Sequence, residues 1–363
     1  MTQIIISAEP LWYVDNQSAN VNDEINAIVS QYNKQPADVL LLTMLWENKK
    51  GADWHKYFCA LINAVRQSNP KVKIILIINS WFKWQEEILK SSGVDDIIFL
   101  DFFMLSYYIK LIKNKESLLS NWNPLASKFL FLTGKPQKLN RVRLLYKLSK
   151  AELLHHCQWS LFIHNKTLEE KCNKLIPELS SEEFTAFIKE YNTTPDNKIP
   201  WLQPNSLHCH PVPYDVSIYN NSLFQIISET DFGDTTTPWI TEKTWLSIFN
   251  KMPFIVAGHC NTLAKLNAIG FRTFEKYLLI NDYDTIQNNE QRLNTIVSNA
   301  GHWLTNIQKN QLLISEDVEH NFNLITQLSL TNYSSIQDMI DVNNLNCTVD
   351  DVIGITDIRL IGK

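Results

Sequence analysis

The chain has 363 residues, 45% of them hydrophobic and 20% charged, which excludes disordered, collagenous and small disulfide-stapled classes and leaves an ordinary globular protein of two domains. A formal charge of −5 gives no general basic surface of the kind that drives non-specific nucleic-acid binding. Nine glycines are far below the ~7% of average usage, and neither GxGxxG nor a Walker A motif is present.

The opening residues 1–14 carry no basic n-region and only a three-residue apolar run before Glu9 and Pro10, so no signal peptide is expected. The longest apolar stretches fall far short of the roughly 20 residues of a membrane span. The six cysteines form no CxxC pair, which points to reduced thiols and a cytoplasmic protein without a disulfide framework.

Short β-branched runs alternate with amphipathic segments, the pattern of a parallel α/β sheet. In the first half, strands are predicted at 4–7, 39–44, 73–78 and 96–101, nearly continuous apolar runs of the kind covered on both faces. Helices are predicted at 52–67, with Tyr57, Leu61, Ala64 and Val65 on one face, and at 84–91. A break at 121–124 starts a second series: strand 128–133, helix 140–154 and strand 159–164. An irregular, proline-rich insertion at 166–213 follows, with one acidic helix near 181–191. Alternation resumes with strand 223–228, helix 241–250, strand 253–257, helix 262–269, and helices at 288–311 and 315–327. The tail from 331 is polar, with weak strands near 351–360. The expected architecture is α/β, with two Rossmann-like doubly wound domains and a cleft between them. The boundaries are 1–122 for a first domain, 123–330 for a second with an insertion at about 166–213, and 331–363 for a C-terminal extension.

In open α/β sheets ligands lie beyond the carboxyl ends of the strands, so the residues that follow each strand carry the information. In the first domain these are Glu9, Glu47, Asn79 with Trp81, and Asp101; in the second, 133–143, 229–243 and 258–261. The span from Lys135 to Lys150 holds six basic residues and no acid. A strand-to-helix turn exposes backbone N–H groups and the positive end of a helix dipole, and arginine supplies forked donors matched to phosphate oxygens. Arg141 and Arg143, with Lys138 beside them, are therefore candidates for a diphosphate; the alternative is a solvated basic helix face. Thr241 is a candidate N-cap that places Glu242 and Lys243 in a first helical turn. A carboxylate there can accept both ribose hydroxyls. A lysine beside the positive helix end is otherwise unfavourable and suits a phosphate.

These segments, 223–229 ending at Glu229, Trp239-Ile240-Thr241-Glu242-Lys243, and the apolar run 253–257 ending at Gly258, resemble the nucleotide-sugar-binding half of GT-B glycosyltransferases, above all the fucosyltransferase-like enzymes. The basic turn after Gly134 is similar to the phosphate-binding arginine segment of related phage and bacterial proteins. The similarity spans about 128–275 without the insertion. It implies that Lys243 and one of Arg141 and Arg143 hold the donor diphosphate, that Glu242 binds the ribose, and that Glu229 contacts the sugar or its surroundings. Ser228-Glu229-Thr230 stands where the family has Phe-Glu-Asn, and Trp239 where it has Tyr, which leaves sugar and base open. His320 and Asn321 are similar to a late His-Asn pair in the same proteins and take no assigned role.

The implied reaction is inverting and metal-independent: a base deprotonates an acceptor hydroxyl, which attacks the anomeric carbon while fixed cations neutralise the leaving diphosphate. The base is expected from the first domain, Glu9 or Glu47, with Asp53 and Asp101 behind them. Trp12, Trp46, Trp54 and Trp81 are either stacking platforms or core. No cofactor is expected beyond the nucleotide sugar as co-substrate. The partners are a glycan or other hydroxyl acceptor, with hydroxymethylated DNA bases as a second reading and no membrane span; a non-catalytic nucleotide- or glycan-binding protein is the third. Asp282-Tyr283-Asp284 has metal-binding DxD spacing but reads as a hydrated turn. The triplets His155-His156-Cys157 and His208-Cys209-His210 read as loop and core rather than zinc ligands, because neighbouring residues of an extended segment point oppositely.

Overall fold

The computed structural model describes residues 3–7, 21–34, 38–44, 54–79, 86–101, 104–105, 121–133, 139–160, 217–230, 232, 238, 240–345, 347–349, 352 and 359–361. The chain divides into two compact units, one of residues 1–110 with 327–363 and the other of 111–326.

In the first unit, β1 (Gln3–Ser7), β2 (Val39–Met44), β3 (Lys73–Asn79) and β4 (Asp96–Leu100) pair in parallel, and β9 (Arg359–Ile361) joins β1 antiparallel, giving the order β4-β3-β2-β1-β9. Strand β9 and the close of the last helix come from 331–363, the stretch expected as an extension. Leu40, Leu41 and Leu42 in β2 and Ile74 through Ile78 in β3 are all buried, so both faces of the sheet centre are covered. That accounts for unbroken apolar runs in place of alternation. The core on one face takes Leu40, Leu42, Ile74, Leu76 and Ile78. Helix α1 (Val21–Lys34) adds Ile25, Ile28 and Tyr32 to it, and α2 (Trp54–Ser68) adds Leu61, Ile62 and Val65. The sequence reading omits α1, although Ile25, Ile28, Val29 and Tyr32 follow the i, i+3, i+4, i+7 spacing of a buried helical stripe. Helix α3 (Glu86–Ser91) contributes Leu89. Arg66 closes the far end of this layer by donating to Pro70 O at 3.1 Å and Gly93 O at 3.0 Å and pairing with Asp95 at 2.6 Å, whose Oδ2 also accepts from Ile74 N–H.

The second unit holds β5 (Phe129–Leu132), β6 (Cys157–Ser160), β7 (Gln225–Ser228) and β8 (Phe254–Ala257), all parallel, in the order β6-β5-β7-β8. Its helices are α4 (Leu139–Lys150), the single turn α5 (Ser217–Asn220), α6 (Glu242–Phe249), α7 (Thr262–Ile269), α8 (Asn289–Asn306) and α9 (Gln311–Val342). Each strand is buried at nearly every position. An aromatic chain carries the core through the unit: Phe129 stacks on Phe224 at 5.0 Å, Phe224 meets Trp303 of α8 at 5.0 Å, and Trp303 continues to Phe274 at 6.0 Å.

Helix ends follow local chemistry. Asn288 caps α8 by accepting from Gln291 N–H at 2.9 Å. Gly270, at φ +110°, ends α7, where its N–H and that of Phe271 satisfy Asn267 O and Leu266 O. Helix α9 runs well past the predicted 315–327. The Ser/Thr/Asn-rich stretch after 328 is poor in helix propensity, yet Ile325, Ser329, Ile336 and Ile340 keep one buried stripe, and packing prevails. The 288–311 prediction resolves into α8 and a 3-10 turn, Ile307–Asn310, before α9.

Candidate functional site

The second sheet turns in two directions: from β5 the chain moves outward to β6, and from β7 outward to β8. The gap between β5 and β7 is therefore a topological switch point, where open parallel sheets leave a crevice at the strands' carboxyl ends. Two of the sequence-predicted segments start there, 133–143 after β5 and 229–243 after β7.

Glu229 follows β7 directly and is wholly buried. Its N–H donates to Ala257 O on β8 at 2.9 Å. Its carboxylate accepts from Thr241 N–H at 3.1 Å, from the Thr241 hydroxyl, and from the Thr244 hydroxyl at 2.6 Å. Thr241 has the extended conformation of an N-cap, and Glu242 and Lys243 open α6 as expected. The Thr241 hydroxyl, however, turns to Glu229 and makes no cap bond within the helix. Ser247, about one turn beyond Thr244, donates to Gln225 Oε1 of β7 at 2.7 Å. Thr241, Thr244 and Ser247 thus lay a hydroxyl stripe of α6 against β7, in place of the small apolar residues that usually let a helix approach a strand closely. Gly258 completes the seat. A Cβ there would stand 3.1 Å from Thr262 Oγ1, 3.2 Å from Val256 Cγ1 and 3.4 Å from Glu229 Cγ. Gly258→Ala is expected to cost about 1–2 kcal/mol through overpacking, read as a lower midpoint in chemical denaturation; an unchanged midpoint contradicts the tight fit.

Lys243 lies over this seat. Its ammonium pairs with Glu242 Oε1 and reaches Thr241 Oγ1 at 3.2 Å and Thr230 Oγ1 at 3.4 Å. Burial pushes the Glu242 carboxyl up, but the Lys243 charge and hydrogen bond, with the Arg141 guanidinium further off, outweigh it and hold the carboxyl below its ordinary range. Arg141 is buried at the start of α4, and its neighbour Asn140 donates to Ser228 Oγ at 3.3 Å, which ties α4 to the end of β7. Arg141 and the Glu242–Lys243 pair therefore follow the two strands that flank the switch point, and the Arg141 charge is felt at Glu242.

Arg143 is elsewhere. Two residues along a helix is about 200° of rotation, and Arg143 faces α8, 3.9 Å from Glu290, which also pairs with Lys147. Of the Arg141/Arg143 pair offered as diphosphate ligands, Arg141 is the one beside β7. Glu229, expected against the sugar, is enclosed and hydrogen-bonded to α6. Lys138, Glu9, Glu47, Asp53 and Trp81 lie outside the described residues, as do Trp239, the insertion 166–213 and His208-Cys209-His210.

Asp284 also departs from expectation. The DxD triplet forms a 3-10 turn, but Asp284 is 5% exposed and its Oδ2 accepts from Leu263 N–H at 2.8 Å, so it anchors the start of α7 rather than sitting in a hydrated turn. Tyr283 accepts from Val256 N–H on the outer edge of β8 at 2.9 Å. Arg292 of α8, fully buried beside them, donates to Phe232 O at 2.8 Å, and Lys265 donates to Pro238 O at 2.8 Å. Two described points of the segment leading to Thr241 are fixed in this way, a long-range arrangement without a local sequence signal. His155 and His156 are exposed with ring centres 4.7 Å apart, while Cys157 is buried. Among the described residues, no three His, Cys, Asp or Glu side chains gather as a metal centre requires. Asn321 clamps the backbone of Arg272 through both its N–H and C=O, and His320 meets Gly270 O at 3.0 Å, which gives that pair a role in holding α9 to the chain after α7. The open depression lined by Arg272, Lys276, Glu275 and Asp282 has both cations engaged by the buried Asp317.

Fold and site together define an α/β protein with parallel sheets and a cation-bearing helix start at a switch point. No protein-family model matches the chain, and no curated protein matches it. Among solved structures it is similar to the alpha,alpha-trehalose 6-phosphate synthase of Burkholderia multivorans, with a TM-score of 0.43 and 7% identity over 89% of this chain and 76% of that one. Among the described residues no helix is long and apolar enough to cross a membrane.

Proposed function

We propose that the chain is a glycosyltransferase of GT-B type, moving a sugar from a nucleotide diphosphate donor to an acceptor hydroxyl with inversion and without a metal. The observation that carries this reading is that Arg141, on a helix tied through Asn140 to the end of β7, and the Glu242–Lys243 pair follow the two strands that flank the gap between β5 and β7. A diphosphate placed there has a guanidinium, an ammonium and the start of α6 to receive its charge, and fixed donors of this kind stabilise a leaving group without reorganising. Glu242, held ionised, accepts ribose hydroxyls from the same helical turn. Glu9 and Glu47 are the candidates for the base that deprotonates the acceptor.

The test is a thermal-shift panel of nucleoside diphosphates and nucleotide sugars on the wild type and Lys243→Ala. One nucleotide at a hundredfold excess over its Kd is expected to stabilise the wild type by roughly 5–10 °C and the variant far less. A wild type that responds to none of them overturns the proposal. Donor turnover in Glu9→Gln and Glu47→Gln then assigns the base: the correct variant binds donor and does not turn it over.

A further inference from the structure

We infer that Glu229 is a positioning residue that sets the polarity of the Thr241 hydroxyl, and through it the place of the Lys243 ammonium, without touching the donor. The inference rests on the proposed donor site and assigns a role within it.

Glu229 gives its two oxygens to three donors from α6. Oε1 takes Thr241 N–H and the Thr244 hydroxyl; Oε2 takes the Thr241 hydroxyl. A carboxylate only accepts, so the Thr241 proton must point at Glu229. The hydroxyl's lone pairs are then left for a cation, and Lys243 Nζ lies 3.2 Å away. The order is one-way, from Glu229 through the Thr241 hydroxyl to Lys243. Glu229 is fully buried, and Gly258 passes close to its Cγ, which keeps the side chain packed against α6.

Glutamine reverses one link in this series. In Glu229→Gln, Oε1 keeps Thr241 N–H and Thr244, while an NH2 replaces Oε2 and donates to Thr241 Oγ1. The Thr241 oxygen then spends a lone pair on that NH2 and no longer gives its proton to a carboxylate, so it becomes a poorer acceptor for the Lys243 ammonium. Shape, volume and two of the three hydrogen bonds are retained, so a mainly structural residue would tolerate this change, whereas a polarity-setting one would not.

The experiment measures, by calorimetry on the full chain, the Kd of whichever of UDP, GDP, ADP and dTDP binds the wild type, together with the Kd of its parent nucleoside and of a nucleotide sugar of the same base. Glu229→Gln and Thr241→Val are each expected to weaken the diphosphate about tenfold and leave the nucleoside unchanged. Thr241→Ser is expected to restore wild-type affinity, and the double variant Glu229→Gln/Thr241→Val to be no worse than either single one, because both act on one hydroxyl. Should Glu229→Gln not fold, the Thr241→Val and Thr241→Ser pair decides alone. Wild-type diphosphate affinity in Glu229→Gln overturns the inference, and so does a loss confined to the nucleotide sugar, which would make Glu229 a sugar contact. A wild type that binds no diphosphate fails the donor site itself, and a wild type that binds with Lys243→Ala weakened but Glu229→Gln intact fails only this inference.

Discussion

Arg141→Ala is expected to lose most of the nucleoside diphosphate affinity proposed above, and Arg143→Ala to keep it. The two arginines are two residues apart on α4, yet Arg141 is buried at the switch point within range of Glu242, while Arg143 faces Glu290 of α8. Removing one member of a buried charge group costs ~2–5 kcal/mol, so Arg141→Ala is expected to weaken the diphosphate ~30-fold or more. Arg143→Ala removes a half-exposed contact worth at most ~1 kcal/mol of stability and changes affinity little. Titration calorimetry of both variants decides it: equal losses would mean that the basic segment acts as a diffuse field and not through one guanidinium.

Asp284→Asn is expected to change the pH dependence of stability by up to about 3 kcal/mol. Burial is the main cause that raises the Asp284 carboxyl from 3.8 to about 6; the Leu263 N–H opposes it, the Glu275 charge adds to it, and Arg292 and the Ala264 N–H oppose it. The folded state therefore binds this proton more tightly than the unfolded chain. Its stabilising contribution is complete below the unfolded value of 3.8 and is lost as the pH rises through about 6. Two pH units at about 1.36 kcal/mol each give the magnitude. Asparagine keeps an acceptor for Leu263 N–H and does not titrate, so the variant gains on the wild type between about pH 4 and pH 7. Urea midpoints across that range measure it, and a difference that does not vary with pH contradicts it.

The elements were legible where the signal is local. Strand β2 and helix α7 have the limits that the sequence predicts, 39–44 and 262–269, because an unbroken apolar run and an αL glycine mark them. Thr241-Glu242-Lys243 was legible as a helix start for the same reason. Helix α1 was equally periodic and is absent from the sequence reading. What the sequence withheld depends on distant partners. Which of Arg141 and Arg143 faces the crevice is set by what lies across from α4, namely β7 on one side and Glu290 on the other. Glu229 ends a strand, as a ligand residue would, and only the return of Thr241 and Thr244 twelve and fifteen positions later gives its carboxylate internal partners. Asp284 reads as a surface turn until Leu263 is brought against it.

The hydroxyl face of α6 has a consequence for engineering. Thr241, Thr244 and Ser247 each match a side-chain oxygen of Glu229 or Gln225, so the helix is indexed to β7 by direction as well as by shape. An apolar helix grafted onto this strand strands a buried carboxylate, and this helix moved onto an apolar strand leaves the Thr241 and Thr244 hydroxyls without their acceptor. A chimera built around this strand and helix therefore has to exchange 225–229 and 241–249 as a single cassette.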